Sequence, residues 1–212
     1  MKKSILYLLT SLFFLSFTAN ETKMNKPKLV IGIVIDQMRY DYLTRFSDRF
    51  SEDGFKRLLN DGFSIENAHY NLIPTYTAVG HATIYSGTTP NNHGIISNNW
   101  YDKFLSKTIY CVDDDNYETV GNNGEAGRKS PHRLFTSTLG DQLKLHQVSK
   151  GKSIGIAIKD RSAILPAGHT ANGAYWFDGG NEGKFITSSF YMNQLPNWVN
   201  TFNLSDKANS YL

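Results

Sequence analysis

Cysteine is almost missing from this sequence, clustered basic residues are absent, and no apolar run is long enough to be a plain bilayer span. A single cysteine, Cys111, excludes an internal disulfide and leaves no Cys/His spacing of the zinc-finger kind. Its setting, Thr108-Ile109-Tyr110-Cys111-Val112, reads as a buried strand, where a thiol serves as a small apolar group and not as a nucleophile. The formal net charge is only +3, and Lys2 and Lys3 supply two of those charges, which leaves +1 for the rest. That balance, with no basic run carrying interleaved aromatics, argues against a surface for nucleic acid or another polyanion. The apolar stretch from Ile5 to Phe17 is broken by Thr10, Ser11 and Ser16 and falls short of the roughly 20 residues that cross a bilayer. With two lysines before it and Thr18-Ala19 after it, residues 1–19 read as a secretory signal, with no stable membrane anchor and no cysteine for a lipid. Export to the periplasm or beyond the cell is therefore expected.

What remains is the composition of an ordered protein, 40% hydrophobic and 13% aromatic. Its 212 residues suffice for one sizeable core or for part of a larger one. After a polar linker, residues 20–28, comes Leu29-Val30-Ile31-Gly32-Ile33-Val34-Ile35-Asp36. An unbroken β-branched run of this kind predicts a strand covered on both faces in a mostly parallel sheet. Asp36 then stands at the carboxyl end of that strand, the edge where α/β sheets bind ligands, either as a metal ligand or as a cap for Gln37-Met38-Arg39.

Helical spacing over Asp53, Phe55, Leu58 and Leu59 ends at Asn60-Asp61-Gly62, and Phe63 to Asn71 reads as a second strand. Pro74-Thr75-Tyr76-Thr77-Ala78-Val79-Gly80-His81 then places a hydroxyl where a helical pattern begins, running to Gly87. A helix start offers free N–H groups and the positive end of a dipole, so Thr77 is either an N-cap or a nucleophile beside a bound phosphoryl group. The turn-rich loop Thr88 to Gly94 leads to Asn98-Asn99-Trp100-Tyr101, where Asn98 is either a turn residue or an amide donor to an anionic oxygen. Asp113-Asp114-Asp115 lacks the ligand intervals of a calcium loop and reads as solvated. Ser130-Pro131 predicts the start of a helix through Leu134, Leu139, Leu143 and Leu145, carrying His132 and His146 as surface or capping residues.

The run Ser153 to Ile158 repeats the buried-strand pattern and ends in Lys159-Asp160-Arg161. Two cations at alternate positions of an extended segment point the same way, so Lys159 and Arg161 either grip one phosphate together or lie in an exposed loop. Ala174 to Asp178 and Gly183 to Thr187 predict a hairpin, and Pro196 onward a helix.

Taken together, Val34 to Arg39, Pro74 to His81, His93 to Asn98, Ile158 to Pro166 and Gly168 to Asp178 resemble the alkaline phosphatase superfamily. Within it they are similar to the type I phosphodiesterase/nucleotide pyrophosphatase branch and its PafA-like bacterial alkaline phosphatases. The resemblance implies an α/β fold, a three-layer α/β/α sandwich with a mostly parallel central sheet, with residues 29–212 forming the N-terminal part of the catalytic domain. It implies two zinc ions, with Asp36 and Thr77 as ligands, Thr77 as nucleophile, Asn98 on a phosphoryl oxygen, and Lys159 and Arg161 completing the grip on a small-molecule phosphate monoester. A dianionic monoester with an extra unesterified oxygen favours additional cations, whereas a diester does not.

Further aspartates and histidines that a two-zinc site in this family requires are not found here, and His81, His169 and Asp178 do not supply the motifs. The sequence is therefore expected to be an N-terminal fragment of a protein about twice as long or more, binding zinc weakly by itself and turning over little. Two other functions stay open. One is a phosphodiesterase or nucleotide pyrophosphatase with Tyr76, Trp100 or Tyr101 against a nucleobase, and the other is an inactive binding or structural relative.

Overall fold

The computed structural model describes residues 27–148, 150–180, 183–205 and 207, so the signal segment and most of the linker lie outside the described residues. The chain divides into two compact units, 1–35 and 36–212. In the first, residues 27–35 form neither helix nor strand, and Leu29, Val30, Ile31, Ile33 and Ile35 are each at least half exposed. The strand expected from Leu29 to Asp36 is thus not formed. A β-branched run becomes a strand only when its backbone groups find a ladder, and among the described residues no sheet includes this run.

The second unit opens with α1 (Tyr42–Arg45) and a 3₁₀ turn, Ser47–Arg49. A wide helical turn, Glu52–Lys56, kinked at Gly54, then runs into α2 (Arg57–Asp61), which stops at Gly62 as the sequence predicts. The expected strand from Phe63 to Asn71 is absent. That segment is irregular with one turn at Glu66-Asn67, and its apolar residues Phe63, Ile65 and Tyr70 are 92%, 69% and 54% exposed, so they gain little burial from which a strand could be stabilised.

Next come α3 (Thr77–Ser86), ended by Gly87 in the left-handed conformation, and a single helical turn, α4 (Pro90–His93), ended likewise by Gly94. A hairpin follows, β1 (Asn99–Asp102) with β2 (Lys107–Tyr110). Cys111 lies just past β2, fully buried, and burial pushes its thiol up to about 12, so the thiol is inert as expected. After β3 (Thr119–Val120) comes α5 (Leu139–His146). The helix predicted to begin at Ser130-Pro131 begins nine residues later, because Ser130 is engaged elsewhere, donating to Asp114 at 2.5 Å. Thr138 and Asp141 instead form a reciprocal capping box at the true start. Asp114 is buried and also accepts from Asn116, which corrects the solvated reading at the middle of the acidic triplet, whereas Asp115 is exposed as expected.

Four strands make the principal sheet, in the order β3, β6, β5, β4, once β4 (Ile154–Ala157), β5 (Gly173–Asp178) and β6 (Lys184–Ser188) are placed. The β5–β6 hairpin matches the sequence expectation, and β4 runs parallel to β5. β4 is an edge strand with Ile154 and Ile156 about half exposed, so the two-sided burial read from its composition is not realised among the described residues. Side chains alternate across β5. Ala174 and Trp176 join Ile186 in a core with Ala163, Ile164, Leu165 and Ala167 of α6 (Asp160–Ala167). Tyr175 points to Trp198 and Phe185 to Phe202, both on α7 (Asn197–Leu204), where Asn203 also clamps the Phe185 N–H and carbonyl. Helices therefore cover both faces of the sheet, as a three-layer sandwich requires.

Small residues let α3, through Ala78 and Ala82, and β4, through Gly155, approach α6 closely. A Cβ at Gly155 would lie 2.3 Å from the Ala163 carbonyl oxygen. Gly155→Ala is expected to destabilise the fold by about 1–3 kcal/mol, read by denaturant unfolding.

Asp141 joins the start of α5 to the end of α6. It accepts from Thr138 N (2.9 Å), Thr170 N and Thr170 Oγ1 (both 2.7 Å) and lies 3.6 Å from His169 Nδ1. Burial alone raises its pKa, but the His169, Thr138 and Thr170 contacts outweigh it and hold the carboxyl well below the usual range. The depressed folded pKa makes this a contribution present above about pH 3.9 and lost as pH falls toward the folded value. Asp141→Asn should lower stability at neutral pH and flatten its acid loss, which pH-dependent unfolding measures.

Candidate active site

Thr77 is the first residue of α3, with Tyr76 in extended geometry before it (φ −63°, ψ 157°). It is therefore not the N-cap, and its hydroxyl is turned outward to donate to Asp36 Oδ2 at 3.0 Å. Asp36 is followed by Gln37 at φ 59°, a left-handed turn that L side chains adopt at a cost.

The helix start is held by Asn98. Its side-chain Oδ1 accepts from the Ala78 N–H at 2.9 Å, while its own backbone carbonyl accepts from the Cys111 N–H at 2.9 Å. An N–H donor facing Oδ1 fixes the amide orientation and leaves Nδ2 to donate elsewhere. The structure thus brings Asp36, Thr77 and Asn98 to one end of one helix.

Lys159 and Arg161 occupy a different helix start. β4 ends at Ala157, Lys159 is the extended residue before α6, and Arg161 is already helical. The common direction expected from alternate positions of a strand does not hold, because Asp160 begins a helix there and accepts from the Arg161 N–H at 2.7 Å. Lys159 is exposed. Arg161 is mostly buried and its Nη1 donates to Tyr110 Oη at 2.8 Å, and that phenol donates in turn to Asp160 Oδ1 at 2.5 Å. Tyr110, to which sequence reasoning assigned only a place in a strand, therefore ties Arg161 to the strand end whose next residue binds Asn98.

His81, His93 and His132 serve the scaffold. His81 donates from Nδ1 to the Thr77 carbonyl at 2.7 Å, one turn below the hydroxyl. His93, fully buried, accepts from the Ile95 N–H on Nδ1 (3.1 Å) and so presents Nε2–H to Thr83 Oγ1 (3.0 Å). Burial lowers its pKa, which keeps this neutral tautomer. His132 lies 3.2 Å from Asp114, and burial lowers its pKa as well. His146 is exposed at the end of α5. Asp178 accepts from Asn122 at 2.6 Å.

As a metal centre, Asp36 and Thr77 offer a carboxylate and a hydroxyl oxygen close enough to share one cation. Among the described residues no group of three or more His, Cys, Asp or Glu side chains gathers to hold an ion. The pair fits two positions of a single zinc and no more.

A family model described as type I phosphodiesterase / nucleotide pyrophosphatase matches residues 30–211. Alkaline phosphatase PafA of Elizabethkingia meningoseptica is 49% identical over 84% of this chain and 33% of its own length. Alkaline phosphatase PhoV of Synechococcus elongatus is 52% identical over 88% and 34%. A Myroides odoratus protein named calcium-transporting ATPase is 50% identical over 99% and 38%. The chain thus spans about a third of the length of these relatives. The crystal structure of wild-type PafA superposes with a TM-score of 0.84 at 48% identity, covering 86% of this chain and 35% of that one. A PafA variant with one Thr→Ser and Asn, Lys and Arg each changed to Ala superposes equally well.

Because the Ala78 N–H is buried, Asn98→Ala should cost about 1–3 kcal/mol by leaving it unpaired. Asn98→Asp keeps an acceptor at a helix start that favours negative charge and should stay within about 1 kcal/mol of the parent. Urea unfolding of both variants checks this.

Proposed function

The chain belongs to the type I phosphodiesterase / nucleotide pyrophosphatase family, and from that premise we propose that the whole protein is a zinc-dependent alkaline phosphatase. In this reading it hydrolyses phosphate monoesters through a phospho-threonine intermediate on Thr77. The observation that carries the reading is the arrangement at the start of α3, a threonine hydroxyl aligned on a carboxylate beside an oriented carboxamide. The names of PafA and PhoV support it, and so does the PafA variant, whose substituted residue types follow the order Thr77, Asn98, Lys159, Arg161. The name calcium-transporting ATPase is compatible at the level of reaction class, since cleaving a phosphoanhydride is also attack at phosphorus.

Thr77 Oγ1 attacks phosphorus in line, so that the Oγ1–P bond forms as the bond from phosphorus to the ester oxygen breaks, the threonine proton is lost to solvent and the departing alkoxide takes one up to leave as the alcohol. The Thr77 proton lies on the line to Asp36 Oδ2, which sets the hydroxyl's direction before attack. Asn98 Nδ2 donates to a non-bridging oxygen, and Lys159 and Arg161 balance the second negative charge that distinguishes a monoester. Water then hydrolyses the phospho-threonine and releases phosphate. Asp36 and Thr77 would hold part of the zinc site, and the metal when bound would supply charge neutralisation and lower the cost of forming the alkoxide. The remaining ligands, and the second zinc, are assigned to the length of the relatives that this chain does not span. Positioning and charge are the main demands of phosphoryl transfer.

The amino-terminal segment supports export to the periplasm or beyond, and among the described residues no helix is long and apolar enough to cross a membrane. A diesterase reading draws on the family description and on the name of a Xenopus laevis relative, bis(5'-adenosyl)-triphosphatase enpp4, 28% identical over 43% of this chain. Of its candidate base platforms, Tyr76 and Tyr101 are 50% and 61% exposed, whereas Trp100 packs against the core.

In the full-length protein, an aryl phosphate should be hydrolysed faster than the matching diester, and Thr77→Ala should reduce kcat by ~10³-fold or more. A strong diester preference would overturn the monoesterase reading. Unchanged phosphate release by Thr77→Ala would contradict the nucleophile and favour an inactive relative.

A further inference from the structure

We propose that Tyr110 is a positioning residue for Arg161, holding the guanidinium in the orientation that grips a phosphate monoester. This rests on the reading that Arg161 contacts the phosphoryl group.

Four observations carry it. Tyr110 Oη receives a hydrogen bond from Arg161 Nη1 at 2.8 Å and gives one to Asp160 Oδ1 at 2.5 Å. The direct Arg161 Nη1 to Asp160 Oδ1 separation is 4.0 Å, too long for a hydrogen bond, so the carboxylate reaches the guanidinium through the phenol. The same Asp160 oxygen accepts from the Arg161 backbone N–H at 2.7 Å, which fixes both ends of one residue from one group. The Tyr110 ring also lies 5.9 Å from the Arg161 guanidinium carbon, adding a cation–π contact.

The relay through a neutral hydroxyl has a consequence that a direct ion pair would not. A carboxylate paired face to face with the guanidinium would neutralise it and occupy two of its donors. The phenol takes one donor and leaves the charge less compensated, while Arg161 Nε is buried without a partner. The guanidinium is thus oriented, partly desolvated and short of acceptors, the state in which an added phosphoryl oxygen gains most. Burial, then Asp160, raises the Tyr110 pKa far above neutrality, so the hydroxyl stays a donor at any working pH. From below, the next residue, Cys111, donates its N–H to the Asn98 carbonyl, so one strand end sets both Asn98 and Arg161.

The test uses the full-length zinc-loaded protein with Tyr110→Phe, Arg161→Ala and the double variant, each assayed on an aryl phosphate and its matching diester. Tyr110→Phe should lower monoester kcat/KM about tenfold and leave diester kcat/KM within about twofold. In the Arg161→Ala background it should cause no further loss, because the two act as a unit. Inhibition by inorganic phosphate should weaken in parallel. Equal loss on both substrates, or a loss that adds to that of Arg161→Ala, would show a general structural role and overturn the proposal. Undiminished monoester activity in Tyr110→Phe, with Arg161→Ala impaired, would overturn it too. Undiminished activity in Arg161→Ala itself would instead overturn the phosphate-grip reading. Should Tyr110→Phe fail to fold by thermal unfolding, Asp160→Ala keeps the phenol but removes its acceptor, and the same selective loss is expected, its absence counting against the proposal.

Discussion

A helix start leaves backbone N–H groups without intrahelical partners, and at the start of α3 the one on Ala78 is buried. Asn98 Oδ1 satisfies it at 2.9 Å, and this bond determines more than the stability of one turn. It holds the carboxamide with Oδ1 toward the helix, beside Thr77, the residue before Ala78, whose hydroxyl donates to Asp36 Oδ2. Had Thr77 been the cap, its oxygen would have been spent on the backbone. Because Asn98 carries that duty, the Thr77 hydroxyl is left to donate to Asp36.

The rest of the second unit keeps this helix start where it is. α3 can approach α6 because both present alanines at the contact, and α6 can sit on β4 because Gly155 has no side chain. Interiors packed at this density transmit small displacements, so a misplaced methyl at Gly155 acts on α6 and through it on α3. α6 in turn carries Lys159 and Arg161 at its start. Core packing and site geometry are therefore one problem in this protein.

Much of this was legible in the sequence where the signal is local. The helix from Thr77 to Gly87, the β5–β6 hairpin and the final helix follow from period, caps and turn residues. The failures share a cause. Leu29 to Ile35 and Phe63 to Asn71 have strand composition, yet strand formation depends on partners that composition does not specify, and among the described residues neither run joins a sheet. The α5 start was misplaced because Ser130-Pro131 is a good local signal that loses to the Thr138–Asp141 capping box and to the Ser130–Asp114 bond. At the site, Asp36 and Thr77 come together across forty-one positions, and Asn98 serves the helix before it serves any ligand. Tyr110 could not be found from sequence, since its meaning lies in contacts fifty and fifty-one residues away.

The central claim is that Thr77 becomes covalently phosphorylated. It is tested most directly by mixing the full-length protein with an aryl phosphate, quenching in acid during turnover, and locating bound phosphate by peptide mass spectrometry. Phosphate on the peptide bearing Thr77, at the threonine itself, is the predicted result. Continuing turnover with no covalent phosphate, or with phosphate on another side chain, would contradict it.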